Sequence, residues 1–339
     1  MNSNMKKLMA VGVACCLALT ITACGTKTDK AASSAAAASS KASGKVTVYM
    51  PSPAGLSNKI AKGFEAKTGI KVEQFQGTTG EILARLEAEK ANPAADVVIL
   101  ASWSDGLSMK KKGELMTYKP QNSDKMVKNF IDNDNQLVGY SASAVGVIYN
   151  TTVFPKLDAD WAELANPEYQ GKLAIPDPEK SGAAKDFLAG FVNAYGWGPL
   201  EGMAKNGMKV PGANKAALEA VTTGEVGILV AGVDYNAYTS MRKGEPLAIY
   251  YPKGGTVVNP RPAMIMKNAP DVDNAKKFMD YLLSDEVQKM VADANLIPGR
   301  SDVKAKNMQL SDIPQIPTDW NKMMEIATET AKKLNELCK

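Results

Sequence analysis

Asp96-Val-Val-Ile-Leu-Ala-Ser-Trp-Ser104 is the stretch that decides the fold. Its apolar core runs unbroken instead of alternating, which suits a parallel strand covered on both faces, and parallel strands are joined by helical crossovers. Such crossovers are legible upstream. Residues 45–49, Lys-Val-Thr-Val-Tyr, alternate as a strand that stops at Pro51-Ser-Pro53, after which Leu56, Ile60 and Phe64 recur at helical spacing up to Gly69. Residues 70–75 alternate again, Gly77-Thr-Thr-Gly80 turns the chain, and Ile82, Leu83 and Leu86 carry a helix ending near Asn92-Pro93. The repeating unit is strand then helix, so the class is α/β.

Downstream, Gly139-Tyr-Ser-Ala-Ser-Ala-Val-Gly-Val-Ile-Tyr-Asn150 reads as a long extended stretch that crosses between two lobes. Two lobes are expected because the 295 residues from 45 to 339 are long for one core. The second lobe again alternates: an element over 161–164, a strand over 172–175, helices over 181–195 and 216–223, and a strand over 226–230. Residues 256–266 predict a strand pair interrupted by Pro260 and Pro262, followed by helices over 273–283 and 285–295. In a last helix Trp320, Met324, Ala327, Ala331 and Leu334 fall at spacings of three and four, a stripe that covers core. The expected division is 45–143 for the first part of lobe 1, 144–255 for lobe 2, and 256–339 for a return to lobe 1 and C-terminal helices.

At the N-terminus Lys6 and Lys7 precede an apolar run over 8–21 that is too short to span a bilayer and is broken by Gly12 and Thr20. The run ends in Ile21-Thr-Ala-Cys24, which resembles a bacterial lipobox. That resemblance implies a lipoprotein signal peptide over 1–23, acylation of Cys24, and an extracytoplasmic, membrane-anchored protein. Residues 24–44 are dominated by Ala, Ser, Lys and Thr, with no large apolar side chain, and read as a flexible tether. Cys15 and Cys16 leave with the signal, so Cys338 has no partner and no disulfide framework exists.

The formal charge of +4, or +2 after loss of Lys6 and Lys7, argues against nucleic acid as a partner. Lys110-Lys111-Lys112, the one dense basic run, reads as a solvated helix end. The chain has no histidine, which removes a Ser-His-Asp hydrolase and the commonest transition-metal ligand. It also lacks a Walker-type glycine loop and zinc-spaced cysteines. No enzyme and no cofactor are expected.

Lipobox, polar tether, Val48-Tyr-Met-Pro-Ser-Pro53, the stretch 143–150, Asp177-Pro178 with Ser181-Gly-Ala-Ala184, Gly232-Val-Asp-Tyr235 and Pro260-Arg-Pro262 follow one another in an order that resembles a family. It is the extracellular solute-binding proteins of ABC importers, in the branch that binds ferric iron, 2-aminoethylphosphonate or sugar phosphates. The resemblance implies a two-lobed periplasmic-binding-protein clamshell with hinge strands between the lobes, closing on a solute and presenting it to a membrane permease. A monomer is expected. A surface adhesin or sensor built on the same fold stays open as a third reading.

Two ways of holding a solute divide that branch. An anion needs backbone N–H donors, hydroxyls and an arginine, and helix N-termini supply the first with a favourable dipole. Ser181, Gly182 and Ala183 open one helix; Thr79 and Gly80 open another, with Thr78 and Glu81 at capping-box spacing. Ser52 follows the first strand, Ser102 and Trp103 the third, and Arg261 between prolines suits bidentate contact with a phosphonate or carboxylate. Asp234, beside Tyr235, would accept a ligand ammonium or sugar hydroxyls. These residues point to a small phosphonate or phosphorylated organic solute. Ferric iron is the alternative, with Tyr235 and Tyr238 as ligands sharing a helix face; Tyr250-Tyr251, on a strand, point apart.

Overall fold

The structure, a computed structural model, describes residues 44–51 and 53–339. The signal, the Cys24 motif, the tether up to residue 43 and Ser52 lie outside the described residues. Strand β1 (Lys45–Met50), helix α1 (Ala54–Thr68), β2 (Lys71–Gln76), α2 (Thr79–Ala88), β3 (Val97–Ile99) and α3 (Trp103–Lys111) open the chain. α1 stops where Gly69 takes a left-handed φ of 77°, returning its N–H to the Glu65 carbonyl. β1 pairs in parallel with both β2 and β3. β3 is fully buried: Val97 and Ile99 pack into one apolar layer and Val98 into the other, which is why its sequence does not alternate.

β4 (Val138–Asn150) is buried along all thirteen residues. Up to Ala144 it pairs with β8 (described below), and from Val145 onward with strands of lobe 2. Those elements are β5 (Leu173–Ala174), α4 (Gly182–Tyr195), α5 (Gly198–Lys205), α6 (Asn214–Thr222), β6 (Ile228–Val233), α7 (Asp234–Met241) and β7 (Leu247–Tyr250). Strand β8 (Val258–Ile265) then enters lobe 1 between β3 and β4, giving the order β2-β1-β3-β8-β4-β6-β5. Helices α8 (Val272–Leu282) and α9 (Asp285–Asp293), the short β9 (Ile297–Pro298) against β4, and α10 (Trp320–Leu337) complete the chain.

One expectation needs correction. Residues 258–265 form one continuous strand, not an interrupted pair. The Pro262 carbonyl accepts from the Leu100 N–H, so both prolines turn their missing donors toward the β3 side, at and beyond the end of that strand. The last helix, α10, packs along α4 of lobe 2 as well as against α3 of lobe 1. Its buried stripe of Met323, Ala327, Ala331 and Leu334 covers both, with Trp320 beside Trp103 at a ring distance of 6.5 Å.

Candidate functional site

α2 and α4 start on opposite sides of a cavity of about 400 Å³ whose lining includes Pro51, Thr78, Thr79, Ser181, Gly182 and Tyr235. Both helices begin where sequence demands. The Thr78 hydroxyl accepts the Glu81 N–H while the Glu81 carboxylate accepts the Thr78 N–H, a complete capping box. The Ser181 hydroxyl accepts the Ala184 N–H at 3.2 Å and donates to Asn214 Oδ1 at 2.9 Å. Ser181 is therefore committed as a cap, and the donors left at this end of α4 are backbone amides. Thr79 Oγ1 accepts the Ala101 N–H at 3.1 Å, leaving its own proton to give.

The two helix ends touch. The Gly80 N–H donates to the Lys180 carbonyl at 3.4 Å across the cleft, so this amide is turned to protein and not to a ligand. Gly80 and Ala183 stand behind the lining, and the Ala183 carbonyl accepts from Asn259 Nδ2. A Cβ on Gly182 would lie 2.8 Å from Thr79 Oγ1 and 2.9 Å from the Ala101 carbonyl carbon and oxygen, so only glycine permits this approach. Gly182→Ala is expected to hold the lobes apart and weaken solute binding by about tenfold or more. Small-angle scattering with saturating solute should show a larger radius of gyration than wild type; an unchanged radius and affinity would refute this.

Beneath the cavity lies Arg261, 1% exposed. Its Nη2 donates to the Pro51 carbonyl at 2.7 Å, its guanidinium carbon stands 5.8 Å from the Tyr235 ring, and its Nε has no partner. The other buried cations are neutralised: Arg300 pairs with Asp285 and Asp302, and Lys185 with Asp105. Among the described residues Arg261 pairs with no carboxylate. Lys215 adds positive charge to the cavity wall, where Lys180 is paired with Asp177 at 3.0 Å; sequence reading missed both, since lysines in loops and first turns look like ordinary surface.

Several expected contacts are elsewhere. Ser102 and Trp103 are buried where α3 meets α4, away from the lining. Asp186 of α4 accepts the Ser102 hydroxyl at 2.9 Å and the Trp103 N–H at 2.7 Å, so a carboxylate from lobe 2 caps a helix of lobe 1. Burial pushes its pKa up to about 7, with neighbouring Asp105 adding to the effect. Asp234 is also fully enclosed: its carboxylate accepts the Ala144 and Tyr235 N–H groups and the Tyr251 hydroxyl, and burial raises its pKa to about 7. It anchors the start of α7 to β4 and offers nothing to a ligand. Tyr235 lines the cavity, whereas the Tyr238 hydroxyl sits 3.4 Å from that of Tyr251; burial raises the pKa of all three tyrosines. Among the described residues no group of three or more Cys, Asp or Glu side chains is placed to hold a metal ion.

Comparison with known proteins agrees with this cleft. The profile of the bacterial extracellular solute-binding proteins matches residues 92–325, and the chain belongs to that family. An uncharacterized protein of Haemophilus influenzae is 30% identical over 77% of this chain and 79% of its own. Iron uptake protein A1 of Synechocystis sp. is 26% identical (70% of this chain, 71% of its own). A putative 2-aminoethylphosphonate-binding periplasmic protein of Salmonella typhimurium is 25% identical (76% and 80%). Among solved structures, the periplasmic binding protein P5PA superposes with a TM-score of 0.80 at 23% identity, covering 87% of this chain and all of its own. AfuA from Actinobacillus pleuropneumoniae, with fructose-6-phosphate bound, gives 0.78 at 24% identity over 86% and 97%. The fold is thus the two-lobed periplasmic-binding-protein fold, and the protein is a solute-binding protein. Among the described residues no helix is long and apolar enough to cross a membrane.

Proposed function

We propose that this protein captures a small phosphonate or phosphorylated organic anion between its lobes and delivers it to an ABC permease. In this reading it acts as a monomer without chemistry or cofactor of its own and is held to the outer face of the membrane through lipid on Cys24. One observation carries the ligand class: a buried guanidinium without a carboxylate, under a cavity flanked by two helix N-termini and Lys215. An anion supplies the missing counter-charge. The names of relatives that bind 2-aminoethylphosphonate or fructose-6-phosphate agree with it.

Ferric iron is the weaker reading, although iron uptake proteins are among the relatives. A bare trivalent cation at Tyr235 would face Arg261, and burial opposes formation of the tyrosinates it needs. The test is thermal unfolding of protein stripped of carried ligand and metal, with inorganic phosphate, organophosphates or ferric citrate added. Ligand at a hundred times its dissociation constant adds about 2.7 kcal/mol, a shift of several degrees. Organophosphate shifts with none from iron support the anion cleft; a shift with ferric citrate alone overturns it.

A further inference from the structure

Lobe 2 is fastened to lobe 1 away from the cavity, along the first turns of α3. Residues four apart on a helix share a face, and on α4 the face that brings Gly182 against Ala101 carries Asp186 one turn further in. There the Asp186 carboxylate accepts the Ser102 hydroxyl and the Trp103 N–H, while its neighbour Lys185 donates to both carboxylate oxygens of Asp105, at 2.9 and 3.1 Å. Asp186 is fully buried, and the Lys185 and Asp105 side chains are nearly so. α10 adds a third contact by setting Trp320 beside Trp103. None of these residues lines the cavity.

α10 belongs to the lobe 2 side of this contact. Among the described residues, its side-chain hydrogen bonds to other elements all end in lobe 2. Asn335 Nδ2 donates to Asp177 and Glu179, and Lys333 Nζ donates to Glu201 while standing 4.0 Å from the centre of the Trp197 ring. Toward α3 it presents Trp320. A rotation that opens the cavity therefore carries α4 and α10 together and draws both off α3. Opening gives up the apolar contact around Trp103 and the charge-assisted hydrogen bonds of Asp186 and Lys185, none of which a solute supplies.

We infer that α3 is a latch for the closed form: α4 and α10 grip it whether or not solute is present, so the empty protein already populates closure. Apparent affinity is the intrinsic affinity scaled by the fraction of molecules in the binding-competent state, so the latch sets affinity without touching the solute. It divides α4 into two duties. The start of the helix faces the solute, and its second turn holds lobe 1. The inference goes beyond the anion reading and is independent of which solute binds.

The test is small-angle scattering of the full chain stripped of carried solute, so no ligand has to be known. Lys185→Glu sets an acid opposite Asp105 and beside Asp186, and like charges brought together across an interface should lower the ratio of closed to open molecules by about tenfold or more. The empty variant should then show a larger radius of gyration than empty wild type. Asp105→Lys added to Lys185→Glu restores an opposite-charge pair and should return the wild-type radius. Trp320→Ala leaves every charge in place, should also enlarge the radius, and decides alone if Lys185→Glu fails to fold. Equal radii for empty wild type and Lys185→Glu overturn the latch: the α3–α4 contact is then a fulcrum kept throughout the motion, or the empty protein is already open. It is equally overturned if the double variant stays as open as Lys185→Glu, because the pairing across the lobes then plays no part in closure.

Discussion

Arg261→Leu is expected to weaken solute binding by about a hundredfold or more while leaving the empty protein as stable as wild type, or more so. Two opposing terms set the stability. A buried guanidinium without a counter-ion costs several kcal/mol of desolvation, and buried ionic groups replaced by apolar ones of similar size are often neutral or stabilising by about 1–4 kcal/mol. Against this, the Pro51 carbonyl loses its Arg261 donor, at about 1–3 kcal/mol. The balance lies near zero or on the stabilising side. Binding has no such compensation, since removing one member of a buried charge pair costs about 2–5 kcal/mol or more. Calorimetric titration together with thermal unfolding of the empty protein measures both. Loss of more than about 3 kcal/mol of stability in the empty variant would make Arg261 a structural residue and remove the main support for the anion cleft.

Asp186→Ala should give the largest stability loss of any substitution considered, about 3–5 kcal/mol, because it strands the Ser102 hydroxyl and the Trp103 N–H in the interior between lobes. Asp186→Asn keeps an acceptor and should cost less than about 1.5 kcal/mol. The pair also reports on ionisation. Burial raises the folded pKa to about 7 from 3.8, so between those values the folded protein holds a proton that the unfolded chain has released. Stability from this group is therefore fully present below pH 3.8 and falls as pH rises toward 7, by on the order of 4 kcal/mol in all. The difference between wild type and Asp186→Asn in urea unfolding should shift against wild type across that window. Parallel pH profiles would show that Asp186 is ionised throughout.

What sequence revealed and what it hid follow one division. Signals that are local survive: the capping box at Thr78 and Glu81, the Ser181 cap, the unbroken β3 run and the long β4 were all legible because each depends on residues a few positions apart. Ser102 and Asp234 misled for the same reason. A serine after a strand caps a helix whether that helix faces solute or another lobe, and only the arrival of Asp186 from 84 positions away decides between them. Similarly, an acid opening a helix looks available until Ala144 and Tyr251 are seen to enclose it. The grouping of buried Ser141, Ser143, Asn259 and Arg261 on one face was missed despite a visible sign. Ser141-Ala-Ser143-Ala and Asn259-Pro-Arg261-Pro alternate polar with apolar inside strands buried on both faces, and two such alternations in strands that pair put four polar groups on one side.

The position of β8 also dictates the order in which this chain can mature. Every strand of lobe 2 precedes residue 258, so that lobe has its complete strand set before β8 has been synthesised. Lobe 1 has not: its sheet stays split between β3 and β4 until β8 slots in, and the Val97 to Ile265 pairing joins residues 168 positions apart. Closing so long a loop is slow, although length adds little to its equilibrium cost. During that interval two apolar strand edges face each other unpaired, the condition under which chains aggregate. The β8 seam is thus the last part of the sheet to be sewn, and nascent chains stopping short of it are the ones most in need of a chaperone.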